Sequence, residues 1–182
     1  MHFPNSGSGR PYVRLDARTG MFKASTLDGD PVLVNMSGEV LDLDIENAQQ
    51  GWLKVDQQGA DFVPLTDRDD WNTTPRPSDE YAPAVSLDVM SEVWDAPAVR
   101  QFRGSSRAVT TFIAGVANAV GEIPKGKAVR VRIKSVRQIK VGRGTSIDID
   151  FKIAPQDKWP DLAKFDGGGG EPPAQDDSEA WA

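Results

Sequence analysis

Residues 125–143 read KGKAVRVRIKSVRQIKVGR, and they decide how the rest of the chain is understood. These 19 residues hold eight lysines and arginines and no carboxylate, in a protein whose formal charge is −6. Val129, Val131 and Ile133 alternate with Arg130, Arg132 and Lys134, the period of a strand with one face on a core and a cationic face outward. Gly142-Arg143-Gly144 then turns the chain into Ile147-Asp148-Ile149-Asp150-Phe151-Lys152-Ile153. The two runs predict an antiparallel hairpin with Asp148 and Asp150 on the face of the arginines, where cross-strand pairing is open to them. Two aspartates do not neutralise eight cations, so the hairpin predicts an anionic partner.

The charge is unevenly spread. Residues 100–145 carry eleven Lys or Arg against Glu122 alone, whereas the remainder carries ten against 26 acids. That asymmetry is the footprint of a polyanion site on an acidic, self-repelling body. A length of 182 residues allows one domain with tails, and 13 Pro with 17 Gly predicts many turns and long loops. The chain has no cysteine, which excludes disulfides and thiolate metal sites. Its one histidine is His2, beside the terminus, which removes histidine-based catalysis and zinc chemistry. No cofactor is expected. No apolar run approaches the ~18 residues of a membrane span, and MHFPNSGSGR has no signal-peptide core. The expectation is a cytoplasmic protein with no membrane partner.

Outward from the hairpin, the elements fall in a definite order. Residues 1–10 predict a disordered start. Tyr12–Leu15 and Met21–Ala24 flank Ala17-Arg18-Thr19-Gly20 as a short hairpin. Pro31–Met36 and Glu39–Ile45 are strands, the second with Leu41, Leu43 and Ile45 inward and an acidic outward face of Asp42, Asp44 and Glu46. In Gly51–Val55, placing Leu53 and Val55 on the core puts Trp52 and Lys54 together in solvent, a stacking surface beside a cation; a Trp52 that covers the edge of the core is the equal alternative. Asp61–Tyr81 reads as a loop holding Trp71. Ala84–Trp94 alternates, with Val85, Leu87, Val89 and Val93 inward and Trp94 on the polar side. Ser105 or Ser106 caps a helix through Val120, with Val109, Phe112, Ile113, Val116 and Val120 inward and Gly121 and Pro124 ending it.

This order predicts a mainly β fold: a five-stranded OB-like barrel over residues 11–165, with one helix between strands 3 and 4 and an N-terminal hairpin elaboration. Residues 166–182, DGGGGEPPAQDDSEAWA, predict a disordered Gly-rich linker and acidic tail, with five acids, no base and Trp181 beside the end. An acidic run closed by an aromatic suits a basic, apolar pocket on a partner, or the protein's own cationic groove when that is empty.

A basic OB domain, a linker and an acidic tail ending in an aromatic together resemble the replicative single-stranded DNA-binding proteins of bacteria and their phages. The stretch Ala98–Val109, AVRQFRGSSRAV, is also similar to a segment of small phage proteins in which a "VREF-S-S-(S/K)-AV" run leads into the helix. The bacterial family ends on Pro-Phe where this chain ends on Trp181-Ala182, so a phage's own replication enzymes suit the tail as readers equally well. The resemblance implies sequence-independent binding and protection of single-stranded DNA in replication or recombination, in a bacterial host's cytoplasm. Arg100, Arg103, Lys125, Lys127, Arg130, Arg132, Lys134, Arg137, Lys140 and Arg143 would track phosphates. Trp94, Trp52, Phe102, Trp71 and Tyr81 would stack bases, with Phe112 and Phe151 left in the core. Asp176, Asp177, Glu179 and Trp181 would bind replication or recombination proteins. A homodimer through paired edge strands is a further expectation from the fold.

Other classes compete with this one. Asp148-Ile149-Asp150-Phe151-Lys152 contains the acid-x-Lys pattern of some metal-dependent nucleases, with Asp88 or Asp61 as a further acid. A module for RNA, duplex or an acidic protein is another reading, although exposed aromatics weigh against a pure duplex binder. A phage assembly protein is a third.

Overall fold

The basic hairpin forms as its alternation predicts, from strands β9 (Val129–Val141) and β10 (Gly144–Ile153) joined through Gly142 and Arg143. Val129, Val131 and Ile133 are fully buried. The register shifts between Asp150 and Phe151, because Ser135 faces Asp150 while Ile133 faces Phe151, and Lys134 is the extra residue of a β-bulge. The computed structural model describes residues 11–26, 30–57, 59–66, 69–94 and 98–166. The segments predicted as a disordered start and an acidic tail, with Asp176, Asp177, Glu179 and Trp181, lie outside them.

Eight further strands precede the hairpin: β1 (Tyr12–Leu15), β2 (Phe22–Ala24), β3 (Val32–Val34), β4 (Val40–Leu43), β5 (Gln49–Asp56), β6 (Gly59–Pro64), β7 (Ala82–Met90) and β8 (Val99–Gly104). Helix α1 (Arg107–Val120) lies between β8 and β9, and a short α2 (Ala163–Asp166) follows the hairpin. The protein is thus mainly β, a single curled, open sheet ordered β10-β9-β4-β7-β8-β1-β2-β3. Neighbours are antiparallel except β1 and β8, which run parallel. The β5–β6 hairpin leaves this path through β5, which pairs with the first half of β7.

Among the described residues the sheet has ten strands where five were predicted, and the helix follows the eighth strand of the chain, not the third. Residues 59–64, assigned in part to a loop, form β6 against β5. Val99–Gly104 is a strand that the sequence pattern does not announce.

Helix α1 forms where its signals place it. Ser106 is its N-cap, with Oγ accepting from the Val109 amide at 3.3 Å, and Gly121 ends it at φ 65°. Its buried face, Ala108, Val109, Phe112, Ile113 and Val116, covers the inner side of the sheet. Phe112 meets Phe151 edge to face at 5.5 Å. Beyond the bulge the outer half of the hairpin leans on the β1–β2 turn. Gly20, at φ 73°, lets the chain pass where a Cβ would stand 3.0 Å from the Val136 Cγ1. The Gln138 Nε2 donates to the Arg18 carbonyl at 3.5 Å across the same junction.

Candidate nucleic-acid interface

Alternation along β9 brings Arg130, Arg132 and Arg137 to the outer face of the sheet, and the fold supplies carboxylates for several of the cations. Arg130 forks onto Asp42 of β4, its Nε to Oδ1 at 2.8 Å and its Nη2 to Oδ2 at 3.0 Å. Both side chains are largely buried. Asp42 was expected in solvent on an acidic face; its cross-strand partner on β9 is Arg130, and the bidentate pair is what permits its burial. Arg137 pairs with Asp148 at 2.9 Å and Lys134 with Asp150 at 3.5 Å, the cross-strand pairing that the alternation predicts. Lys127 meets Asp161 at 2.8 Å, and that contact lowers the Asp161 carboxyl from its ordinary value. Arg132 is half-buried beside Lys152.

Lys125, Lys140 and Arg143 are exposed and make no ion pair among the described residues. Lys140 and Arg143 sit at the tip of the hairpin, where Ile139 and Val141 are also exposed. Arg18, on the turn that abuts this arm, is exposed and likewise without a carboxylate. Unneutralised positive charge therefore gathers at the hairpin arm and the neighbouring turn.

A second set of groups lies on the outer face of β7, β8 and β1. Val85, Leu87 and Val89 point into the core, so Ser86, Asp88 and Met90 point out. The register sets Arg103 beside Ser86, Gln101 beside Asp88, and Tyr12 beside Gln101. Arg103 donates from Nε to the Ser86 Oγ at 3.2 Å, and its guanidinium stands 5.2 Å from the centre of the Phe62 ring. Burial lowers the Arg103 pKa from its ordinary value, against the opposing pull of Asp61 and Asp88. Phe62 itself rests on Gly51, where any Cβ would come within 2.5 Å of the ring. Arg14 stacks over Tyr12 at 5.0 Å in the same way. Phe62 and Tyr12 are half-buried ring-and-cation pairs, a feature not singled out from the sequence.

Several residues expected at the interface are part of the interior instead. Arg100 is 1% exposed; its Nε and Nη2 donate to the Ser25 carbonyl at 3.2 and 2.9 Å, and it packs over the Trp94 ring. Trp94 is buried with Nε1 on the Ala98 carbonyl at 2.7 Å, and Phe102 is wholly buried against Phe22. None of these three can meet a phosphate or a base in this fold. Trp52 is buried, which is the core-covering alternative and not the stacking one, while Val55, placed inside, is 56% exposed. Trp71 and Tyr81 are half-buried, and each is tethered. The Trp71 Nε1 donates to the Gly51 carbonyl at 2.7 Å. The Tyr81 hydroxyl donates to Asp61, which raises the tyrosine pKa.

No family model matches the chain, and neither a characterised protein nor a solved structure does. Among the described residues no helix is long and apolar enough to cross a membrane.

Proposed function

We propose that the protein binds single-stranded DNA without sequence preference, protecting it in phage or bacterial replication or recombination. The observation that carries this reading is the hairpin arm. Among the described residues Lys140 and Arg143 make no ion pair there, Ile139 and Val141 lie exposed beside them, and the arm borders a sheet face bearing cation-and-ring pairs. Phosphates need the first kind of group and unpaired bases the second, and a closed duplex offers no base faces.

The fold proposal is an elaborated OB barrel. Strands β10, β9, β4, β7 and β8 lie side by side with α1 inserted between β8 and β9. This is the neighbour order fifth, fourth, first, second, third of a partly open OB barrel, with the helix after the third strand. In such a fold oligonucleotides lie on the face of the second and third strands between two flanking loops. Here that face is β7–β8 with Arg103, and the flanking elements are the β5–β6 hairpin with Phe62 and the β9–β10 turn with Arg143. The β1–β2–β3 ribbon is the elaboration, added to β8 in parallel. The acidic tail, with Asp176, Asp177, Glu179 and Trp181, competes for the cationic surface and recruits replication partners.

Cleavage is the weaker reading. Asp148 and Asp150 are held by Arg137 and Lys134, and no three metal-ligating side chains cluster among the described residues. Replacing both Lys140 and Arg143 by alanine tests the arm. Both are exposed, so the fold is retained, and the log-log salt dependence of oligo-dT affinity becomes shallower by about 1.4, roughly 0.7 for each phosphate contact. An unchanged slope removes the arm from the path of the strand.

A further inference from the structure

The β1–β2 ribbon carries a hollow that the reading above does not use. It has a volume of about 320 Å³ and is lined by Tyr12, Arg14, Asp16, Arg18, Lys23 and Pro31 among others. That is the lower end of the ~300–1,000 Å³ typical of small-ligand sites. Three of the lining residues are cations and one is an aromatic. Arg14 and Lys23 are directly opposite each other across β1 and β2, so both side chains leave the same face of the sheet. Tyr12 is two residues from Arg14 on that face, with the guanidinium 5.0 Å from its ring centre. The one carboxylate, Asp16, is turned to its own loop, its Oδ1 accepting from the Arg18 amide at 2.9 Å. That bond is the main cause that lowers its pKa, with Lys23 adding to it.

We propose that this hollow is a nucleotide subsite, which takes one nucleotide of a bound single strand with its base on the Tyr12–Arg14 stack and its phosphate on Lys23 and Arg18. The chemistry of the lining selects such a ligand. A bare phosphate would gain the cations but face Asp16, and it would leave the aromatic unused. An apolar ligand would make no use of Arg18 and Lys23. A nucleotide satisfies both sets, and the Asp16 carboxylate accepts from a base or sugar donor. The position is suited to a strand already on the protein. Tyr12 is the register partner of Gln101, two residues from Arg103 on β8, and Arg18 lies on the turn that touches the hairpin arm. The subsite thus joins the β8 face to the arm, and it rests on the proposed single-strand binding.

The test compares oligo-dT of increasing length by fluorescence anisotropy, using full-length protein, Tyr12→Ala, Tyr12→Phe and the double variant Arg14→Gln/Lys23→Gln. Unchanged thermal unfolding of each variant establishes that the ribbon is intact. Tyr12→Ala should bind the shortest oligomers that bind at all like the parent, and long oligomers roughly 5- to 160-fold more weakly, the range for loss of one stacked base. Tyr12→Phe should retain the parent's affinity. The double variant should lower the salt slope on long oligomers by about 0.7, the value for the one phosphate that Lys23 holds. Photocrosslinking of an oligomer carrying 5-iododeoxyuridine should label the peptide that contains Tyr12. Parent-like binding of long oligomers by both Tyr12→Ala and the double variant, with no crosslink at Tyr12, overturns the subsite and leaves single-strand binding standing. A parent protein that binds no oligomer of any length overturns both.

Discussion

Asp42→Ala should destabilise the fold by about 3–5 kcal/mol, the cost of leaving a buried charge without its partner. Arg130 reaches Asp42 with two nitrogens, and both side chains are nearly excluded from water. The pair also joins β4 to β9 at the point where the hairpin leaves the body of the sheet. Against a typical domain stability of about 5–15 kcal/mol, the loss is large enough to move the urea midpoint by about a fifth or more. Asp42→Asn should cost nearly as much, because the shape is kept while the charge is lost. The double variant Asp42→Ala/Arg130→Met should recover much of the loss, since removing both charges removes the uncompensated one. Urea unfolding of these proteins and of the single variant Arg130→Met measures this. A double variant as unstable as the sum of two single losses would show that the two groups act independently.

The second large effect is on binding. Phe62→Ala should weaken oligo-dT binding by about 1–3 kcal/mol, if the strand stacks a base beside the ring that Arg103 covers. Arg103→Ala removes the proposed phosphate contact and the cation that stands over the Phe62 ring. Because the two side chains touch, the losses should fall short of additivity by about 0.5–3 kcal/mol in a double-mutant cycle. Both side chains lie on the outer face, away from the core cluster, so the unfolding midpoint should move little. Parent-like affinity in both single variants would take the β7–β8 face out of the proposed site.

The hairpin and the helix were legible because their signals are local. Val129, Val131 and Ile133 alternate within one strand, Gly142 turns it, and Ser106 and Gly121 bound the helix. Strand β8 was not legible, because an arginine occupies one of its inward positions. Arg100 and Phe102 are its two buried residues, and Arg100 is held there by the Ser25 carbonyl, 75 residues away, and the Trp94 ring. A pattern that scores arginine as solvent-facing therefore loses the strand and gains a false phosphate contact. The inversion at Trp52 and Val55 has a similar cause. β7 begins opposite Leu53, so Val55 lies beyond the body of the sheet on a two-stranded ribbon with no core beneath it.

The candidate site was legible as charge and not as surface. Eight cations between Lys125 and Arg143 are counted easily in the sequence, but which of them stay unneutralised depends on Asp42, Asp148, Asp150 and Asp161. Asp42 is 88 residues from its partner, a distance no local pattern spans. The aromatics failed for the opposite reason. Tryptophan offers a large stacking platform, yet a large ring is also an effective core filler, and Trp52 and Trp94 serve that use here. Phe62 and Tyr12 stay near the surface because each lies on an outer face beside an arginine.

The most direct test of the central claim is an anisotropy titration of labelled oligo-dT and of a duplex of equal length at two salt concentrations. It should use the full chain and a truncation ending at Asp166, which retains the buried Phe165. The account predicts tight, salt-sensitive binding that favours the single strand and tightens when residues 167–182 are removed. Equal affinity for both nucleic acids, or affinity for neither, would contradict it.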